Sequence, residues 1–205
     1  MLLAVTAAIG KAAELTSLGS QTPSLDALAY DAISESVLWS FANGPDDGIE
    51  PYAGLIADQR GNLYGTTELG GANEESGTVF ELSPPSGKST QWNEQVLWSF
   101  GASGDGSSLF AGLLADKWGN LYGTTRFGGA NNNDGTVFEL SPPYGNSTQW
   151  REHMLWNFAG GPDDGANAYA GLLADQWGNL YGTTFSGGVN GGGTVFELSL
   201  PGGGQ

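Results

Sequence analysis

AGLIADQRGNLYGTT occupies residues 53–67, and nearly the same letters return as AGLLADKWGNLYGTT at 111–125 and AGLLADQWGNLYGTT at 170–184. Downstream, GTVFELS stands at 77–83, 135–141 and 193–199. VLWSF at 37–41 and 96–100 has its counterpart in MLWNF at 154–158. The offset is 58 or 59 residues each time. A fixed period of this length marks a repeat architecture, in which each unit is one supersecondary element stacked on its neighbours.

Each unit parses into four short β runs. GLIAD (54–58) comes first and closes on DQRG (58–61), where Asp at the first position and Gly at the fourth suit a type I turn. NLYGTT (62–67) is the second run, and a Gly- and Asn-rich loop leads to the third, GTVFELS (77–83). In SPPSGKSTQWNEQ (83–95) the paired prolines forbid a central strand. VLWSF (96–100) is the fourth run. The runs are β-branched or aromatic, bounded by Gly, Pro, Asn and Asp, and no helical period appears after residue 35. Four antiparallel strands per repeat predict a propeller blade. The expected fold is all-β: a β-propeller-like array of three four-stranded antiparallel blades, with a short helical N-terminal segment.

The organisation follows. Residues 1–35 form the N-terminal helical or signal-like segment, 36–200 the three repeats (about 37–95, 96–153 and 154–199), and 201–205 a Gly-rich tail. The array opens on a lone fourth-type strand, 37–41, and closes on a third-type strand, 193–199. The expectation is that 37–41 closes the last blade. Blades pack face to face through layers: Trp39, Trp98 and Trp156 at one repeat position, Phe41, Phe100 and Phe158 at another, Phe80, Phe138 and Phe196 at a third. Propellers typically have four to eight blades, and three would turn too sharply to close. The chain is then a piece of a longer array, half of a six-bladed ring completed by a homodimer, or a compact three-unit ring.

Composition narrows the function classes. The formal net charge is -16, from 6 Lys and Arg against 22 Asp and Glu. Phosphate binding needs clustered cations, so nucleic acid is excluded as a partner, and an anionic membrane surface is disfavoured. There is no Cys and a single His, His153, which removes disulfides, thiolate zinc sites and His-based metal clusters. The apolar run Leu2–Ile9 is too short to span a bilayer. It reads either as a helix or as a signal core without its basic leader.

LYGTT, then GG, then GTVF resembles the bacterial GloVer tandem repeat. The match falls on Leu63–Thr67, Gly70–Gly71 and Gly77–Phe80, and recurs at Leu121–Thr125, Gly128–Gly129 and Gly135–Phe138, and at Leu180–Thr184, Gly187–Gly188 and Gly193–Phe196. The resemblance covers roughly residues 36–200. It implies a propeller-like protein, extracellular or on the cell surface, and it supplies no catalytic residues to carry over. The chain departs from that pattern in its few repeats and in showing no clear anchor or sorting tail.

Candidate site residues lie in loops. Asp58, Asp116 and Asp175 recur at the turn start and read as side-chain caps of the turn. Glu81, Glu139 and Glu197 recur inside the third strand as blade-edge hydrogen-bond partners. The fourth-to-first loops, ANGPDDGIEPYA (42–53), GASGDGSSLFA (101–111) and AGGPDDGANAYA (159–170), are expected on one face with the second-to-third loops (68–76, 126–134, 185–193). Together they carry ten acids and one base, Arg126, whereas the opposite loops are nearly balanced. Binding residues concentrate on loops held by a rigid scaffold. The candidate ligand-binding face is therefore Asp46, Asp47, Asp105, Asp163 and Asp164 with Tyr52, Phe110 and Tyr169. Calcium is a weak candidate at Asp46, Asp47, Asp163 and Asp164, because hard cations want several oxygens, although no EF-hand spacing is present.

Enzyme motifs are missing. GxSxG, HExxH and phosphate-binding Gly-rich loops do not occur. The expected function is a secreted or surface-associated binding and scaffolding module acting through its acidic loop face, with a glycan or a basic protein as partner. The alternative is a carboxylate-dependent glycan hydrolase or lyase, which needs two carboxylates at a set separation.

Overall fold

The first strand formed is a two-residue one, β1 (Gly48–Ile49), and its partner lies twenty residues on. The computed structural model describes residues 34–199, except 43, 74 and 75. The described residues from Val37 onward belong to one compact unit. The expected N-terminal helix and the Gly-rich tail fall outside the described residues.

β2 (Ile56–Ala57), β3 (Leu63–Thr67), β5 (Thr78–Ser83) and β6 (Asn93–Ser99) form a four-stranded antiparallel sheet in chain order. β4 (Leu69–Gly70) stands apart and pairs with β1. The second repeat copies this arrangement. β7 (Gly106–Ser107) pairs with β10 (Phe127–Gly128), while β8 (Leu114–Ala115), β9 (Leu121–Thr125), β11 (Thr136–Ser141) and β12 (Arg151–Asn157) make the sheet. In the third, β13 (Gly165–Ala166) pairs with β16 (Ser186–Gly187), and only three strands are present: β14 (Leu173–Ala174), β15 (Leu180–Thr183) and β17 (Val195–Leu198).

The chain is thus all-β among the described residues, and the four runs expected per repeat are present in the first two. Two features differ from expectation. Val37–Phe41 is in no strand and does not close the last sheet. Instead the Phe41 ring packs edge-on against Phe80 of the first sheet, 5.1 Å between centroids, so the segment sits two sheets away from β17. The described chain contains no closed ring. The fourth strand also begins earlier than expected, at Asn93 and Arg151, because the prolines that bar a strand stop at Pro85 and Pro143. Repeat boundaries at 95 and 153 therefore cut each sheet inside its last strand.

Core packing follows the repeat. Val79, Leu97 and Phe100 of the first repeat meet Leu113, Leu121, Phe138 and Leu140 of the second in one buried cluster. Val137 and Phe158 meet Phe196 and Leu198 in the next. A one-residue bulge opposite Val79/Phe80 leaves Leu97 outside the ladder, where it joins the first cluster. The rings of Phe100 and Phe138 meet at a tilt, 4.8 Å between centroids, and those of Phe158 and Phe196 meet edge-on at 5.2 Å. Each sheet therefore buries its inner face against the following one. Gly123 is needed on β9, because a Cβ there would lie 2.5 Å from Cζ of Phe138.

Polar groups bind sheet to sheet as well. The Thr66 hydroxyl donates to the Ala111 carbonyl, and Thr124 donates to that of Ala170. Thr66 and Thr124 are buried, whereas Thr183 at the same position of the last sheet is exposed.

Candidate functional site

The short ribbons β1–β4, β7–β10 and β13–β16 join the fourth-to-first loop of each repeat to its second-to-third loop. The two loop classes thus share one edge of every sheet. Gly106 permits this approach, since a Cβ there would sit 2.3 Å from the Thr125 hydroxyl oxygen.

Where the ribbon ends, the chain turns through a left-handed residue. Glu50, Ser108 and Asn167 have φ of 59°, 59° and 57° at one repeat position. Their carbonyls accept hydrogen bonds from the backbone N–H of Glu68, Arg126 and Phe185 respectively. Each repeat therefore sets two side chains next to each other: Glu50 with Glu68, Ser108 with Arg126, Asn167 with Phe185. The left-handed residue also reaches the preceding repeat, through Ser108 N–H to the Ser76 carbonyl and Asn167 N–H to that of Asp134. A non-glycine residue held in the left-handed region is uncommon, and the bond to its carbonyl accompanies it in every repeat.

Beside these pairs runs a row of rings. Tyr52, Phe110, Tyr169 and Phe185 follow one another at 5.4, 5.2 and 5.5 Å between centroids. The guanidinium of Arg126 lies over Phe127, Tyr169 and Phe110 at 4.2, 4.9 and 5.6 Å. Its Nε is buried without an acceptor, so the stacking on rings holds the cation. At the first end, the Tyr52 hydroxyl donates to Glu50. Burial first, then the neighbouring Glu50 charge, raises the pKa of Glu68, with Arg126 pulling it down. Glu50 raises the Tyr52 phenol in the same way, with burial second. The ends of the row are open: Tyr52 is 63% exposed and Phe185 72%.

The expected acidic residues divide into two groups. Asp46 and Asp163 are exposed on their loops. Asp47, Asp105 and Asp164 serve the fold. Asp47 accepts from the backbone N–H of Ala42 and Gly48. Asp164 does the same for Ala159 and Gly165, and takes the Trp156 indole N–H as well. Asp105 accepts from Gly106 N–H at 2.7 Å and from the Trp98 indole at 3.3 Å. Burial raises the Asp105 pKa, against the lowering by these two donors. Among the described residues, no three His, Asp or Glu side chains stand together in a way that could hold a metal.

The other repeated acids have local partners. Asp116 accepts from the backbone N–H of Trp118 and Asn120, the Asn120 amide and the Tyr122 hydroxyl. Asp58 and Asp175 repeat that pattern as turn caps. Glu81, Glu139 and Glu197 each accept from the serine two residues on. Tyr52, Phe110 and Tyr169, by contrast, are brought together as expected from their shared position. Sequence reasoning missed Glu50, Glu68 and Arg126 as partners of that row. The signal was available, since LYGTT and TVFELS are identical in all three repeats while positions 50/108/167 and 68/126/185 read Glu/Ser/Asn and Glu/Arg/Phe.

Among the described residues no helix is long and apolar enough to cross a membrane. A comparison with curated proteins finds no match. The family description "Gloeobacter/Verrucomicrobia repeat" matches residues 27–153 and, overlapping, 95–205. With the two matches together spanning residues 27–205, the chain belongs to the Gloeobacter/Verrucomicrobia repeat family.

Proposed function

We propose that this chain is a binding and scaffolding module, acting outside the bacterial cell or on its surface, whose contact surface is the ring row and its flanking pairs. The observation that carries the reading is where the repeats diverge. The strand sequences LYGTT and TVFELS are identical in three copies, and the side chains beside Tyr52, Phe110 and Tyr169 are not. A scaffold needs its strands repeated; a site needs each copy to offer a different group.

The chemistry of the row suits a glycan. Exposed rings at Tyr52 and Phe185 offer apolar faces to sugar C–H groups. Glu50 and Glu68 accept hydrogen bonds from hydroxyls, and the Arg126 guanidinium donates them. The acidic balance of the surrounding loops favours neutral or cationic sugars over uronic acids.

A glycan array probed with the whole chain tests this. The expected result is binding to neutral or amino-sugar oligosaccharides, reduced at least tenfold by Tyr52→Ala or Phe185→Ala. Both side chains are largely exposed, so their loss leaves the core intact. Binding that survives both substitutions overturns the assignment of the row.

A further inference from the structure

The two ends of the sheet row are complementary halves of the same junction. At the C-terminal end, β17 has no partner on its outer side among the described residues. Val79 and Val137 are fully buried in the first two sheets, and Val195 at the same position is 82% exposed. Thr183 is exposed where Thr66 and Thr124 are buried. At the N-terminal end, Val37–Phe41 carries a fourth-strand sequence with no strand beside it. Val37 is 72% exposed and Leu55 51%. An edge strand next to a bare apolar face is a standing template for another chain.

The repeats already show what covers such a face. TVFELS at 78–83 pairs with the strand ending VLWS at 96–99, with Val79 opposite Trp98. The second sheet repeats this with Val137 opposite Trp156. The unpaired edge is again TVFELS, at 194–199, and the unpaired segment is again VLWSF, at 37–41. Phe41 meets Phe80 as Phe100 meets Phe138 and Phe158 meets Phe196. The segment thus already holds the place, on the first sheet, of the fourth strand of a preceding sheet.

We infer that the occupant is a second copy of this chain. Val37–Phe41 of each copy adds as the fourth strand to the β14–β15–β17 sheet of the other. Val195 then faces Trp39, and the Thr183 hydroxyl donates to the Ala53 carbonyl, by the register and inter-sheet bonds of the first two repeats. Two such junctions close six sheets into one ring under a two-fold axis, which gives every sheet four strands, covers both bare ends and falls within the usual range of propeller sizes. The inference rests on strand pairing alone and is independent of the glycan proposal.

The chain has no Cys, which gives a clean test. Val195→Cys and Trp39→Cys are prepared as separate full-length proteins, mixed and oxidised. Disulfide-linked pairs of the two variants are expected, at least tenfold above a control that pairs Val195→Cys with Tyr144→Cys, an 83% exposed loop position. Light scattering should give twice the 21.2 kDa of one chain for the unmodified protein. Val195→Asp should halve that mass without changing the β signature in circular dichroism, because Val195 is largely exposed in the single chain. A mass of one chain, a mass of three or more, or linkage no better than the control overturns the inference.

Discussion

The hydroxyls of Thr125 and Thr136 lie 2.8 Å apart, both fully buried, and every repeat contains this pair. The two members are unequal. Thr125 also donates to the Phe127 carbonyl and accepts from the Thr136 backbone N–H. It ties the end of the second strand to the ribbon that carries the candidate site. Thr125→Val orphans these groups in the core, and each unsatisfied buried polar group costs about 1–3 kcal/mol. Thr136→Val removes one hydroxyl and leaves the other bonds of Thr125 in place, at about 1 kcal/mol. Denaturant unfolding should therefore rank Thr125→Val well below Thr136→Val in stability. Equal losses would show that the pair acts only as apolar filler.

Phe138 and Phe196 hold the same repeat position in unequal surroundings. Phe138 is fully buried, between Phe100 and the second sheet's own strands. Phe196 packs on Phe158 but is only half-buried, because among the described residues β17 has no fourth strand beside it. Phe138→Ala should cost about 3–5 kcal/mol, the usual loss for a buried ring with its cavity. Phe196→Ala should cost about half that, in proportion to the apolar area it hides. Unfolding midpoints of the two variants at dilute concentration compare them directly, and a larger loss at Phe196 would contradict the order of burial.

Much of the fold is legible in the repeats, and the limits have physical reasons. Runs such as LYGTT and TVFELS declare themselves because β-branched and aromatic residues are bounded by turn residues and return in every repeat. The ribbons β1–β4, β7–β10 and β13–β16 are two residues long and have no period to read. Their only trace is Gly106 and its equivalents, placed against threonines. Val37–Phe41 reads as a strand because its sequence is one, yet strand pairing depends on a neighbour that its own sheet does not supply. The acidic loops suggest a site from charge alone. Three of those acids, Asp47, Asp105 and Asp164, are committed to backbone or indole N–H groups, which composition cannot reveal.

The turn aspartate of the third repeat, Asp175, should act on stability through acid as well. Burial alone would raise the Asp175 pKa, but the Asn179 amide, the backbone N–H of Asn179 and Trp177, and the Tyr181 hydroxyl bring it below its ordinary value. A depressed carboxylate stabilises the fold above its unfolded pKa and loses that contribution as pH falls through its folded value. Asp175→Ala should thus be less stable than the unmodified chain at pH 6, with the difference shrinking toward pH 2. A difference constant across that range would assign the effect to turn propensity and not to the charged form.

Glu94 and Glu152 reverse that sign. Each is half-buried on a fourth strand, with one oxygen buried and without a partner. Burial raises both pKa values to about 7, and the second cause is the charge of Asp47 for Glu94 and of Asp105 for Glu152. Between pH 4.5 and 7 the folded chain holds protons that the unfolded chain has released, so stability falls as pH rises through this window. Water screens much of the penalty at half-exposed positions, leaving about 1 kcal/mol for each group. Glu94→Gln and Glu152→Gln should therefore stabilise the protein at pH 8 and leave it unchanged at pH 4.5. Asp105→Asn supplies the cross-check. It keeps the shape of the carboxylate while removing the charge beside Glu152, so the midpoint of the pH transition should move down in that variant. Urea midpoints recorded from pH 4.5 to 8 would show it, and a profile that Asp105→Asn leaves unmoved would exclude coupling between the two groups.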